Sequence, residues 1–360
     1  MRVRLASDPA SRAPGPRTLL AERLAPRSVP DAIDTARDLG ALDVGADARE
    51  RSAGPAPASA GDALLDRWEA LATLGAVDLG AARVVEPHLD ALSILAEAKA
   101  TATADAGSLD RDPAAVWGVF AAEGGDEPLR ARPTAHGWRL DGVKPWCSLA
   151  GILDRALVTA HLDDAGTRRL FAVDLRAPGV AVAEGAWAAR GLSEIPSGPV
   201  RFADVAAEPV GADGWYLQRP GFAIGGTGVA ACWFGGAVGL ARSLHSALAA
   251  RADAHGLAHL GAIDEQLEAA RLVLADAARR APGADRATAR ILAKRVRATV
   301  ARTCDDVLAR TARALGPAPL ALDAEHAKRV ADLQLYVRQH HAERDLASLG
   351  EALTASEAPW

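Results

Sequence analysis

Near the C-terminus five polar side chains crowd into an otherwise apolar stretch: His340, His341, Glu343, Arg344 and Asp345. An imidazole with its ordinary pKa near 6.5 can take or give a proton at neutral pH. On a continuous helix Val330, Leu333, Val337 and His340 share one face, so His340 points inward with the apolar residues. Glu343, three residues on, could orient the ring or supply a carboxylate of its own. The plain alternative is a core histidine beside a solvated Glu-Arg-Asp face. A second constellation is Trp146-x-Ser148. Two residues apart in a strand share a face, so one side chain packs while the other donates a hydrogen bond. The alternative there is a core tryptophan followed by a turn serine.

Other reactive types are scattered. His88, His255 and His259 stand alone, and the last two form only a weak i,i+4 pair with no acidic cluster to complete a metal site. No metal is expected. Cys147, Cys232 and Cys304 are far apart with no CxxC pair. That argues against zinc and excludes a disulfide framework, so they read as small buried hydrophobes.

The chain that must position these groups has 360 residues, enough for two or three packed regions. Apolar residues make up 49%, much of it helix-favouring Ala. A net charge of -5 with no block of like charge gives no nucleic-acid surface. The stretch from Phe222 to Leu240 has no charge, but its glycines and the amphipathic helices after it argue for a buried helix rather than a membrane span. With no apolar leader at the N-terminus, a soluble cytoplasmic protein is expected.

Periodicity divides the chain in three. Pro and Gly clusters at Pro14–Pro16 and Gly54–Pro57 punctuate the start. Leu64, Leu65, Trp68, Leu71 and Leu74 then keep helical spacing, and a second apolar stretch runs from Leu79 to Leu95 with Pro87 as a start or kink. From about Ala115 short strands take over: Trp117–Ala122, Gly137–Gly142, Ala156–His161, Leu170–Leu175, Val180–Val182 and Val200–Phe202. After Pro220 four helices are predicted, the last over His326–Leu349. The expected fold is α+β: a helical N-terminal region (1–112), a central β-sandwich or barrel (113–214) and a C-terminal four-helix bundle (215–360). Trp117, Trp138, Trp187, Trp215 and Trp233 read as core or interface aromatics.

Several segments, in order, resemble the acyl-CoA dehydrogenases, over roughly residues 60 to 350. Gly137-Trp138-Arg139-Leu140-Asp141-Gly142-Val143-Lys144-Pro145-Trp146-Cys147-Ser148 is similar to the hairpin that leads to a Trp-x-Thr/Ser segment beside the flavin. Ala189–Ser197 with Val200–Val205, Gly236–Ala241 and Arg329–Tyr336 resemble its closing strands, first bundle helix and penultimate helix. The resemblance implies a flavin-dependent oxidoreductase acting on CH–CH bonds of an acyl thioester or related substrate. Trp146 and Ser148 would contact the ring, which needs an aromatic wall and a polar donor. Glu123, Arg251 and Gly316 would stand at the remaining cofactor-contacting positions. The cofactor implied is FAD, with FMN or none as alternatives. The partners implied are a small-molecule substrate such as an acyl-CoA, an electron-transfer partner, and further copies in a homodimer or tetramer; no membrane is implied.

The sequence also departs from that pattern. The family's Tyr-x-x-Tyr-Glu-Gly-Thr reads Tyr336-Val337-Arg338-Gln339-His340-His341-Ala342, with His340 at the place of the catalytic glutamate. The other position used for that base falls near the apolar Val229. The loop before the β-hairpin is shortened to Glu123-Gly124-Gly125-Asp126, the pyrophosphate arginine corresponds to Ala252 with Arg251 beside it, and the paired glycines read Gly316-Pro317. A monooxygenase using reduced flavin and oxygen on the same scaffold, and a non-catalytic homologue acting as a binding or assembly subunit, are therefore kept as alternatives. His340 is expected in the cavity between β-domain and bundle, facing Trp146 and Ser148.

Overall fold

The computed structural model describes residues 2–6, 13–49, 59–101 and 114–354. The Gly54–Pro57 cluster and the expected boundary at 112/113 lie outside them. Four helices open the chain: α1 (Pro16–Leu24), α2 (Val29–Arg49), α3 (Ala60–Val77) and α4 (Leu79–Thr101). Ser59 caps α3 by accepting from the Asp62 amide. The buried Asp66 of α3 accepts from the Arg17 and Thr18 amides, so the start of α1 is satisfied by a neighbouring helix. Pro87 lies inside α4 and does not start it. His88, next to it, accepts from the Trp117 amide at 3.2 Å and ties α4 to the first strand.

The strands are β1 (Trp117–Phe120), β2 (Arg130–Thr134), β3 (Gly137–Lys144), β4 (Arg155–His161), β5 (Arg168–Asp174), β6 (Val180–Val182) and β7 (Val200–Val210). Their order is β1-β4-β2-β3-β7-β5, and β5 pairs back onto β4, which closes the sheet into a barrel. Two pairings are parallel, β1 and a single β2 residue pair on β4; the others are antiparallel. The polar β2 carries almost no apolar alternation, which is why periodicity missed it. Phe171 and Phe202 fill the interior and belong to one apolar core shared with the helices.

After the short α5 (Trp215–Gln218) come α6 (Phe222–Ala250), α7 (Ala254–Arg280), α8 (Arg286–Leu315), α9 (Ala318–Leu322), α10 (Ala324–Tyr336) and α11 (Glu343–Thr354). By length and composition α6 could cross a membrane, but 67% of its most apolar stretch is buried, chiefly against α3 and α8. A side chain at Gly235 would collide with the Ala72 carbonyl of α3, so this crossing requires glycine. The helix predicted over His326–Leu349 is broken. It ends at Tyr336, passes through a 3-10 turn at Val337–Gln339, and leaves His340 extended and Ala342 left-handed at φ 43° before α11 begins.

Candidate active site

β3 delivers its last residue, Lys144, into the barrel wall, where its ammonium donates to Glu123 and Thr159, each at 2.8 Å. The chain then turns sharply. Trp146 and Leu149 both adopt left-handed φ, 60° and 59°, which a bulky side chain takes only when its surroundings impose it. Amides of Cys147 and Leu149 donate to the carbonyls of Gly198 and Pro196 and fix the turn. Trp146 and Ser148 consequently do not share a face as a strand would require: the turn sends Trp146 outward, 61% exposed, and Ser148 inward. The Trp146 indole stands edge-on to Trp187, centroids 6.3 Å apart, and Trp187 donates to the Leu192 carbonyl. Trp187, half-buried and packed against the core, thus also braces an exposed ring.

Ser148 is the middle of a hydrogen-bonded chain. Arg83 of α4 donates to its hydroxyl at 2.8 Å, Ser197 stands 2.7 Å away, and Ser197 donates on to the Ile195 carbonyl at 3.0 Å. With the Ser197 proton used there, the Ser148 proton goes to Ser197. Arg83 also lies over the Tyr336 ring, 5.9 Å from its centroid. Behind it, Tyr336 meets Trp233 edge-on, and Arg297 of α8 lies 4.8 Å over the Trp233 ring while donating to the Gly226 and Gln339 carbonyls. The Tyr336 hydroxyl has the Cys232 thiol beside it but makes no hydrogen bond of normal geometry.

Glu86 sits in this group, 93% buried. Burial pushes its carboxyl up to about 7, aided by Asp90 and opposed by Arg83 and Arg297. It lines a cavity of about 220 Å³ between α3, α4 and the start of α6, together with Trp68, Asp90, Arg219 and Gly228. A second space, of about 10 Å³, separates Arg83 and Ser148 from β1 and holds no more than a water.

Other residues singled out by sequence lie elsewhere. Glu123 is occupied by Lys144, Arg168, Thr159 and His161, so it clamps the barrel; burial raises its carboxyl, but these partners outweigh it and hold it at about 2. His340 does not face Trp146. It lines a cavity of about 160 Å³ with Ala298 and Ala301 of α8 and Leu346 of α11, to which the β-domain contributes nothing. Burial holds its imidazole below the usual value, against the pull of Asp345. The helix break turned it away, since the expected inward face required an unbroken helix. Glu343 is exposed and is not the carboxylate that serves it; Asp345 accepts from the His341 amide and is the acid beside both histidines. Arg251 is exposed at the end of α6 and Gly316 ends α8, and among the described residues no hydrogen bond joins either to Trp146 or Ser148. No group of three His, Cys, Asp or Glu among the described residues could hold a metal.

No protein-family model matches the chain, and neither does any curated protein sequence. Solved structures do. Indole-bound TdsC from Paenibacillus sp. A11-2, described elsewhere as a dibenzothiophene monooxygenase, superposes with TM-score 0.77 at 18% identity over 96% of this chain and 98% of its own. A nitrososynthase from Micromonospora carbonacea var. africana gives 0.72 at 19% over 96% and 98%. Butyryl-CoA dehydrogenase from Megasphaera elsdenii gives 0.76 at 17% over 93% and 92%. The chain has the acyl-CoA dehydrogenase fold. Trp146 is left exposed at left-handed φ, its indole making no hydrogen bond among the described residues. The Ser148 side chain, by contrast, is already satisfied by Arg83 and Ser197. Sequence singled out Trp146 and Ser148 but missed Arg83 and Glu86. Their signal was present: Arg83, Glu86, Asp90, Ser93 and Glu97 recur at three- and four-residue steps, a polar stripe on a helix read as apolar.

Proposed function

We propose that the chain is a flavin-dependent oxidoreductase whose isoalloxazine lies against Trp146 and whose substrate occupies the cavity beside Glu86. The observation carrying this reading is Trp146 itself. An indole held outward at left-handed φ and braced by Trp187 has no packing role to explain it, and it stands two residues from a serine held by Arg83, one turn from the buried Glu86 on α4. The structures it resembles include FMN-bound TdsC, which supports a flavin. Bound flavin would supply hydride or oxygen chemistry; Trp146 would orient its ring, Arg83 would hold Ser148, and Glu86, at about 7, is poised to accept a proton at neutral pH.

For oxidation of a CH–CH bond Glu86 replaces His340 as the candidate base. Monooxygenation is the second reading, supported by the likeness to TdsC, a dibenzothiophene monooxygenase. FAD would need pyrophosphate contacts beyond this chain's Trp146 turn; FMN would not. We further propose a homodimer or tetramer, supported by the exposed Leu257, Leu272 and Leu322 on the outer helices, an electron-donating partner, and a cytoplasmic location, supported by three unpaired buried cysteines.

The test is spectroscopic. The purified protein, incubated with FMN or FAD and desalted, should retain flavin absorbance, and Trp146→Ala should lose it. Anaerobic bleaching by substrate alone marks dehydrogenation; a requirement for external reductant and oxygen marks monooxygenation. Retention of neither flavin would overturn the reading.

A further inference from the structure

The polar stripe of α4 faces a row of glycines at the cap and first two turns of α6. A side chain at Gly221 would come 2.6 Å from Glu97, one at Gly225 would come 2.5 Å from Asp90, and one at Gly228 would come 4.0 Å from Glu86. The two helices run antiparallel, so each carboxylate meets a glycine in turn. The first two pairs have no room left between them. At Gly228 the spacing opens, and there the cavity of about 220 Å³ lies.

The charges along this row are unequal. Arg219, itself buried, takes Glu97 at 2.8 Å and approaches Asp90 at 3.6 Å, and Glu97 also accepts from the Gly221 amide at 3.0 Å. Arg67 donates to Ser93 and to the Leu89 carbonyl. That leaves Glu86. Arg83 and Asp90 on its own helix, Arg297 of α8, Cys232 of α6 and Tyr336 of α10 surround it, but Arg83 is committed to Ser148 and Arg297 to two carbonyls. Among the described residues, no hydrogen bond or ion pair reaches the Glu86 carboxylate. A carboxylate 93% buried without a partner is costly, unless something that enters the cavity supplies one.

We propose that this cavity binds a protonated amine carried on a body about the size of one ring, with Glu86 as its counter-ion. The size follows from the volume: an apolar cavity of about 150 Å³ holds benzene, and this one is larger by roughly an ammonium and a methylene. The apolar part would lie on Trp68, Leu71 and Ile224, which line the same space. A carboxylate ligand is disfavoured, because Glu86 and Asp90 would repel it and the Arg219 guanidinium, its Nε apart, is already held by Glu97 and Asp90. The proposal deepens the oxidoreductase reading, on which this cavity holds the substrate, yet it is tested without any flavin.

The experiment is calorimetric titration of the full-length protein at pH 8 with benzylamine, benzyl alcohol and benzoate. Benzylamine should bind at least about tenfold more tightly than benzyl alcohol, and benzoate should not bind. Glu86→Gln should erase the preference for the amine while leaving the alcohol within about threefold. Gly228→Val, which fills the space but keeps the charge, should weaken both and guards against misfolding of the first variant. Benzoate binding as well as benzylamine, amine binding indifferent to Glu86→Gln, or no binding by any probe would each overturn the proposal. Flavin retention with no amine binding would leave the oxidoreductase reading standing and sink this one alone; amine binding without flavin would do the reverse.

Discussion

Arg83 and Glu86 stand one turn apart on the same face of α4, yet the Arg83 guanidinium reaches across to the Ser148 hydroxyl at 2.8 Å and leaves the Glu86 carboxylate without a hydrogen bond. The arrangement joins a turn of the β-domain to the floor of a helical cavity. It also leaves an acid whose ionisation is sensitive to whatever enters.

The first consequence is a pH dependence of stability. Glu86 keeps its proton in the folded chain up to about 7, while in the unfolded chain it loses it near the ordinary glutamate value of about 4.3. Between those two values the unfolded chain binds fewer protons, so stability falls as pH rises and levels off above about 7. Glu86→Gln removes this loss. The variant should match the wild type in melting temperature at pH 4 and exceed it at pH 8, by up to about 3 kcal/mol. Thermal melts across that range check it, and an equal difference at both ends would show that Glu86 does not titrate as described.

Trp146 offers a separation of fold from function. Its indole is largely exposed and its backbone is left-handed, so Trp146→Gly removes strain and little packing. The variant should be at least as stable as the wild type, by about 0.5–1 kcal/mol. Flavin affinity, followed by quenching of flavin fluorescence, should fall by at least about tenfold. A destabilised variant would mean that Trp146 packs against something after all.

Glu123 should behave in the opposite way. Its carboxylate neutralises the buried Lys144 ammonium, so Glu123→Gln leaves that charge without its counter-charge and should cost about 2–3 kcal/mol. Its carboxyl is held down at about 2, so the stability it contributes is complete above its ordinary value and is lost as pH falls toward 2. Denaturant midpoints for wild type and variant should differ at pH 7 and converge near pH 2. Flavin retention should be unaffected at pH 7.

How far these features could be read from sequence depends on the element. The barrel's apolar strands and the bundle's long helices announce themselves as apolar runs and by period, because they bury their faces in two apolar clusters shared with the helices. The polar β2 did not, since a strand with few buried side chains carries no alternation. His340 was placed by spacing on a helix that stops four residues before it, and neither Gly nor Pro marks the break. Trp146 and Ser148 were found together but assigned to one face, because nothing in Pro145-Trp146-Cys147-Ser148 reports a left-handed indole. Glu86 went unread for a simpler reason: its neighbours Val84, Val85 and Leu89 made the segment look like plain core.

Arg83 is the residue through which the turn at Ser148 and the acid at Glu86 are coupled. Arg83→Met keeps the length of the side chain and its packing over Tyr336 but removes the charge. Ser148 retains Ser197, so the turn should hold, and Trp146 should stay where it is. Glu86, however, loses a nearby cation that favours its ionised form. Its pKa should therefore rise further above 7, and the range over which stability falls with pH should extend upward by roughly one pH unit. Melting curves between pH 6 and 9 resolve this. The same substitution made on Glu86→Gln should produce no such extension. If it does, the titrating group is one of the other side chains around the cavity, with Asp90 the first to examine because burial raises it as well.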